Sequence, residues 1–288
     1  MSFSITSALI VMGGLGLLFG VGLAVASRIF FVKRDPRVEE VEGVLPGVNC
    51  GACGAPGCSG FAEGVVGGKY PANGCTVGGI AVAAEVSKIM GVEAGEFIPK
   101  LAVVRCRGDR DNCTERALYQ GLMDCKAATL IDNGAKGCEY GCLGLGTCVN
   151  ACPFDAIKMD DNGLPVVNEA FCVGCGECVR ACPRGIMAMI PWDQKVFIAC
   201  VSQDFGKAVK SVCKVGCIGC GICANPKTTA DEIITMDGKL PVIHYEKINE
   251  PWQDLEKAVN KCPTKSFGVR GNGKLVQKEV TKEEEVTS

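Results

Sequence analysis

The chain has 288 residues, a formal net charge of −2 and 21 cysteines beside a single histidine. The odd cysteine count and the recurrent two-residue spacing argue against the disulfide framework of a secreted protein and for thiolate metal sites in a reducing compartment, while one histidine leaves little room for His-ligated zinc or haem. With 30 basic against 32 acidic residues and no basic stripe interleaved with aromatics, a nucleic-acid partner has no electrostatic footprint here.

Residues 1–27 carry no charged side chain, and Ala8 to Ala26 are apolar or glycine throughout. Such a run rises about 28 Å as a helix, close to the hydrocarbon thickness of a bilayer. A cleaved signal peptide would place its positive charges before the apolar run; here Arg28, Lys33 and Arg34 follow it. A retained single-pass anchor in the cytoplasmic (inner) membrane is therefore expected, embedded in lipid, with everything after Arg28 in the cytoplasm. Gly16, Gly20 and Ala24 fall four apart, which reads equally as a small-residue face suited to another membrane helix and as the ordinary frequency of glycine in such spans.

A charged connector leads to Cys50-x2-Cys53-x4-Cys58-x16-Cys75. Three thiols in one glycine-rich loop and a fourth returning from further along can enclose an iron–sulfur cubane, and Gly51, Gly54 and Gly57 permit the tight turns this needs. The stretch Ile80 to Met90 has helical spacing and is expected to pack over the site.

Next comes the strongest signal, Cys172-x2-Cys175-x2-Cys178-x3-Cys182-Pro183, the bacterial ferredoxin run in which three cysteines hold one cluster and the fourth reaches to another. Its upstream partner contains Cys138, Cys142, Cys148 and Cys152-Pro153. Pseudo-symmetry then assigns Cys152, Cys172, Cys175 and Cys178 to one 4Fe-4S cluster, and Cys138, Cys142, Cys148 and Cys182 to a second. Leu145 stands where a cysteine would fall, so Cys138 is assigned in its place.

The unit recurs downstream. Cys125, Cys138, Cys142 and Cys148 are spaced as are Cys200, Cys213, Cys217 and Cys223, and KMDDNGLPVV is echoed by TMDGKLPVI. In the second copy Lys227 replaces Cys152, and NEPWQDLEKAV replaces the segment with Cys172, Cys175 and Cys178. One ligand set has thus been lost as a whole, while Cys217, Cys220, Cys223 and Cys262 survive as a whole; a partial set would leave reactive thiolates without metal. Of the remaining cysteines, Cys106, Cys113, Cys125, Cys200 and Cys213, any one is a free thiol by default. Cys125 and Cys200 keep their place in the repeat, so a fifth cluster from Cys106, Cys125, Cys200 and Cys213 stays open beside the four expected. His244 reads as a strand residue, and Arg105, Arg107 and Arg110 as a solvated surface in preference to a dock for an acidic partner.

The fold expected is α+β: a transmembrane helix over 1–27, a charged linker over 28–43, a four-Cys iron–sulfur domain over 44–100, a ferredoxin-like domain with two clusters over 101–195, a second ferredoxin-like unit with one retained cluster over 196–275, and a charged tail over 276–288. No P-loop and no nucleophile beside a base is visible, so the chain lacks a complete active site of its own.

The apolar N-terminal segment, VNCGACGAPGC with its later Cys75, and GCLGLGTCVNACPFDAI followed by CVGCGECVRACP together resemble the B-subunit family of the Rnf complex. The resemblance covers nearly the whole chain. It implies an iron–sulfur subunit of a membrane ferredoxin:NAD oxidoreductase coupled to Na⁺ or H⁺ translocation, taking electrons from soluble ferredoxin and passing them to the other membrane subunits. It implies cluster ligands at Cys50, Cys53, Cys58 and Cys75 and at the ferredoxin cysteines named above. The four-Cys module is also similar to one in corrinoid iron–sulfur proteins. The rival readings are a membrane-tethered polyferredoxin serving another redox complex, a corrinoid-type partner protein and a tethered zinc protein.

Overall fold

The computed structural model describes residues 2–30, 34–93, 95–230, 232–250 and 252–271; Lys33 and the charged tail expected at 276–288 lie outside them. Helix α1 spans Ser2–Ile29, and its stretch Ser7–Ile29 is long and apolar enough to cross a membrane. Leu9, Leu17, Phe19 and Leu23 point away from the rest of the protein, as they must if lipid is their solvent.

The expected linker over 28–43 instead contains α2, Pro36–Val44. Asp35 caps it by accepting from the Arg37 amide at 3.0 Å, and Pro36 suits the first turn, where its missing N–H is not needed. Val38 and Val41, three apart and so on one helical face, are buried in a core shared with α3 (Cys58–Val66) and α4 (Gly79–Met90). This segment belongs to the four-Cys domain. Phe61 is 1% exposed at the centre of that core, worth about 1.5–3 kcal/mol, and stacks on Tyr70 with ring centres 5.8 Å apart.

The remainder repeats one plan twice. In the first unit β1 (Lys100–Val104) pairs antiparallel with β4 (Met187–Pro191), Lys100 opposite Pro191. Between them come α5 (Cys125–Leu130), α6 (Thr147–Asn150), the hairpin of β2 (Ile157–Met159) and β3 (Pro165–Val167), and α7 (Glu177–Ala181). In the second, β5 (Val196–Ile198) pairs with β8 (Phe267–Val269) around α8 (Lys207–Val212), a 3-10 turn at Ile222–Ala224, the hairpin of β6 (Ile234–Asp237) and β7 (Leu240–Ile243), and α9 (Gln253–Lys261). The boundary expected after residue 100 falls inside β1. Among the described residues each sheet has two strands, too few to bury an independent core, and cysteines stand among the buried residues that join these elements. His244 follows β7 and bonds Thr235 through its Nε2 at 2.8 Å, a structural role.

Candidate iron–sulfur centres

Three loops share one backbone shape. In Cys142–Cys148, Cys172–Cys178 and Cys217–Cys223, the second and fourth residues after the first cysteine are glycines with positive φ: 74° and 77°, 71° and 76°, 68° and 71°. A Cβ at Gly174 would also lie 2.3 Å from the Lys100 carbonyl oxygen, and one at Gly144 2.6 Å from that of Gly163. Only glycine satisfies both the dihedral and the close approach. The cysteine before proline is likewise held the same way in each unit: the Ile186 amide donates to Cys182 Sγ at 3.4 Å and the Ser266 amide to Cys262 Sγ at 3.3 Å.

The thiols gather in sets. Cys50, Cys53, Cys58 and Cys75 line one cavity under α3. Asn49, a residue not singled out in the sequence, takes φ 52° and accepts from the Cys58 amide through Oδ1 at 2.8 Å, doing for α3 what a capping side chain does elsewhere. Tyr70 ties the same loop by donating to the Gly54 carbonyl at 3.1 Å. In a second set, the Cys178 thiol is raised to about 12 by burial and then by Cys172, Cys175 and, further down, Cys152, and the Ala102 amide of β1 donates to Cys172 Sγ at 3.5 Å. Cys217, Cys220, Cys223 and Cys262 line another cavity.

In the remaining ferredoxin set the structure departs from the spacing argument. Cys142, Cys148 and Cys182 share their cavity with Cys125, and Leu145 lines the same cavity; Cys138 lies elsewhere. The reason is local. Asp124 caps α5 by accepting from the Ala127 amide at 2.9 Å, and Thr147 Oγ1 donates to Asp124 at 3.0 Å while accepting from the Cys125 amide at 2.7 Å. These bonds dock the start of α5 on the Cys142–Cys148 loop, so a thiol from outside the loop stands in for the one Leu145 lacks. Cys138 instead joins Cys106, Cys113, Cys200 and Cys213 around a separate cavity. The open set of Cys106, Cys125, Cys200 and Cys213 therefore loses Cys125 and gains Cys138. Arg105 and Arg107 are half-buried rather than solvated: Arg105 Nε donates to the Ile198 carbonyl at 3.3 Å and Arg107 to that of Lys265.

Burial pushes Cys142 up to about 12 and Cys148, Cys217 and Cys223 up to about 11. Thiols so placed are neutral near pH 7, and loading with metal must displace their protons. Cys113 and Cys213 share a hydrogen bond that draws the Cys113 thiol down to about 6 and pushes that of Cys213 up. Among the described residues no three thiols, carboxylates or imidazoles converge closely enough for one metal ion; zinc at about 2.3 Å from each sulfur would need sulfurs about 3.8 Å apart. Sets of four thiols in glycine loops with amides aimed at sulfur suit a polynuclear cluster.

Comparison with known proteins agrees. The family model "Putative Fe-S cluster" matches residues 45–77 and the model "4Fe-4S dicluster domain" matches residues 137–187. The chain is 44% identical over 253 residues to the B subunit of the Na(+)-translocating ferredoxin:NAD(+) oxidoreductase complex of Acetobacterium woodii, covering 88% of this chain and 74% of that one. It is 44% identical to the B subunit of the ion-translocating oxidoreductase complex of Methanosarcina acetivorans over 77% of this chain and 84% of that one. With the B subunit of the proton-translocating ferredoxin:NAD(+) oxidoreductase complex of Clostridium ljungdahlii the identity is 46%, over 73% of this chain and 74% of that one. A membrane-length helix, a four-Cys iron–sulfur domain and a ferredoxin-like domain, in that order and at these identities, place the chain in the B-subunit family of the ion-translocating Rnf oxidoreductase complexes.

Proposed function

We propose that this subunit takes electrons from reduced soluble ferredoxin and passes them to the other membrane subunits of an ion-translocating ferredoxin:NAD oxidoreductase, with no complete active site on this chain. The observation that carries the reading is four sets of four cysteines built into one chain behind a membrane-length helix. The ligands proposed are Cys50, Cys53, Cys58 and Cys75; Cys152, Cys172, Cys175 and Cys178; Cys125, Cys142, Cys148 and Cys182; and Cys217, Cys220, Cys223 and Cys262. A 4Fe-4S cluster, when bound in such a set, supplies one-electron storage and release. The chain's own part is to position and tune: the amides of Gly78, Ala102, Ile186 and Ser266 lie 3.3–3.5 Å from cysteine sulfurs and stabilise added negative charge there. Arg28 and Arg34, following the span, put the domains after it in the cytoplasm, where soluble ferredoxin is, with α1 held in lipid.

The sets nearest and furthest from the anchor are not equivalent. Arg180 Nη2, beside the Cys172–Cys178 loop, donates to the Cys50 carbonyl at 3.3 Å, so the four-Cys domain abuts the first ferredoxin-like unit. Tethering keeps the four-Cys domain by the membrane subunits and leaves the ferredoxin-like units to the soluble donor. Electrons are admitted at those units and leave through the Cys50 set. In the assembled complex Cys53→Ser should abolish transfer to the downstream subunits, while ferredoxin still reduces the remaining clusters, followed by low-temperature EPR. A variant in which ferredoxin no longer reduced the ferredoxin-unit clusters would reverse the order.

A further inference from the structure

The cavity between the two ferredoxin-like units is walled by five thiols that none of the four sets uses: Cys106, Cys113, Cys138, Cys200 and Cys213. Four of them fall into pairs related by the internal repeat. Cys106 lies two residues past the end of β1 and Cys200 two residues past the end of β5. Each sulfur accepts from the amide of the first cysteine of its own unit's loop, Cys106 from Cys142 at 3.5 Å and Cys200 from Cys217 at 3.3 Å. Cys138 and Cys213 each stand four residues before that same first cysteine. The pairing differs from the one the bare spacing suggests, because Cys125 matches Cys200 in number but has been drawn away to stand in for Leu145.

Cys113 is the exception. Seven residues beyond Cys106, its counterpart beyond Cys200 is Lys207, and its thiol points to the Thr114 carbonyl at 3.7 Å. It faces Cys213 across an isolated antiparallel bridge, so it lines the cavity without a partner in the repeat.

The charges around the cavity ask for an anion. Arg105 lines the cavity half-buried and donates Nε to the neutral Ile198 carbonyl at 3.3 Å; among the described residues it makes no ion pair with a carboxylate. Arg107 and Lys136 line the same space. Even a half-buried cation without a counter-charge is costly, and a cage of four thiolates around an iron–sulfur core would supply one.

We propose that Cys106, Cys138, Cys200 and Cys213 hold a fifth 4Fe-4S cluster at the seam of the two units, two ligands from each, with Cys113 the one cysteine of the chain outside every set. The proposal rests on the iron–sulfur reading above and adds a site to it. The test is iron and acid-labile sulfide per full-length chain after anaerobic reconstitution, with Mössbauer spectra to confirm cluster type. About twenty irons are expected for the unaltered chain, about sixteen for Cys106→Ala and for Cys200→Ala, and about twenty for Cys113→Ala. Should Cys200→Ala unfold its unit, Cys138→Ala decides from the other side: about four irons lost, with the spectrum of the Cys217 set retained, supports the site. Sixteen irons in the unaltered chain, unchanged by Cys106→Ala and Cys138→Ala, would overturn the fifth cluster and leave the four-cluster carrier standing. Four irons lost with Cys113→Ala but none with Cys213→Ala would overturn the ligand set. Stoichiometric zinc with little sulfide would overturn the iron–sulfur reading as a whole.

Discussion

Cys125 and Cys138 exchange the places that spacing gives them, Cys125 lining the cavity of the Cys142 set and Cys138 the one beside it, and the cause is one side chain. A leucine at 145 cannot ligate, and two cysteines precede the loop, 17 and 4 residues before Cys142. The nearer is the natural candidate by sequence; the farther is delivered by the Asp124–Thr147 hydrogen bond and by α5. The spacing repeat itself hides the difference, since Cys125, Cys138, Cys142 and Cys148 match Cys200, Cys213, Cys217 and Cys223 in number while differing in place. That Cys50, Cys53, Cys58 and Cys75 line one cavity, and Cys217, Cys220, Cys223 and Cys262 another, was legible because each set is confined to one local loop and one return. The geometry yields a rescue experiment. Cys125→Ala should lose about four irons per chain, and adding Leu145→Cys to it should restore them, because Leu145 occupies the loop position of Cys175 and Cys220. If the double variant stayed short of iron while Cys138→Ala removed it from the Cys142 set, Cys138 would be the ligand after all.

At the scale of elements, the second unit shows what replaces a cluster. Counting back from the Cys-Pro of each unit, Cys172, Cys175 and Cys178 correspond to Trp252, Leu255 and Ala258. The last two are fully buried at 0% exposure, and Trp252 packs against the same core as Val196, Ile233, Ile234 and Phe267. Three apart, they share one face of the segment through α9; apolar side chains packed into a core stand where the first unit has thiols. Lys227, at the place of Cys152, is exposed. Lys227→Ser should therefore leave the iron content unchanged, whereas Cys262→Ser should remove about four irons per chain; iron lost from Lys227→Ser would break the proposed correspondence. Helix α1 was plain from its uncharged run. Helix α2 was not, because only Val38 and Val41 among its nine residues are buried and its charged residues read as a connector. Its packing also shortens the tether between membrane and four-Cys domain, which sharpens the topological expectation: a reporter fused after Ser288 should be active only on the cytoplasmic side, and activity outside would refute the orientation.

Across the whole molecule the sets are joined in series. The Cys50 carbonyl meets Arg180 of the Cys172 set, Cys148 of the next set acts on Cys178, Cys142 donates its amide to Cys106, and Cys200 accepts from Cys217. Such neighbours bring a cost that the chain's formal charge of −2 conceals. The count treats every cysteine as neutral, and burial holds Cys142, Cys148, Cys178, Cys217 and Cys223 so before loading. Four thiolates around an oxidised core amount to about two negative charges per cluster, so four or five clusters turn a nearly balanced polypeptide into a polyanion of about −10 to −12, with a further charge for each electron stored. Anaerobic isoelectric focusing should find the loaded protein well below the apoprotein, whose sequence sets a pI of about 5.7; coincident bands would mean the thiols do not ionise on loading. With the proposed fifth cluster, Arg105, half-buried without a carboxylate, is a residue whose counter-ion would arrive only with the iron. Maturation and charge become one event, and the unfinished protein is distinguishable from the finished one by its electrostatics alone, before any electron has moved.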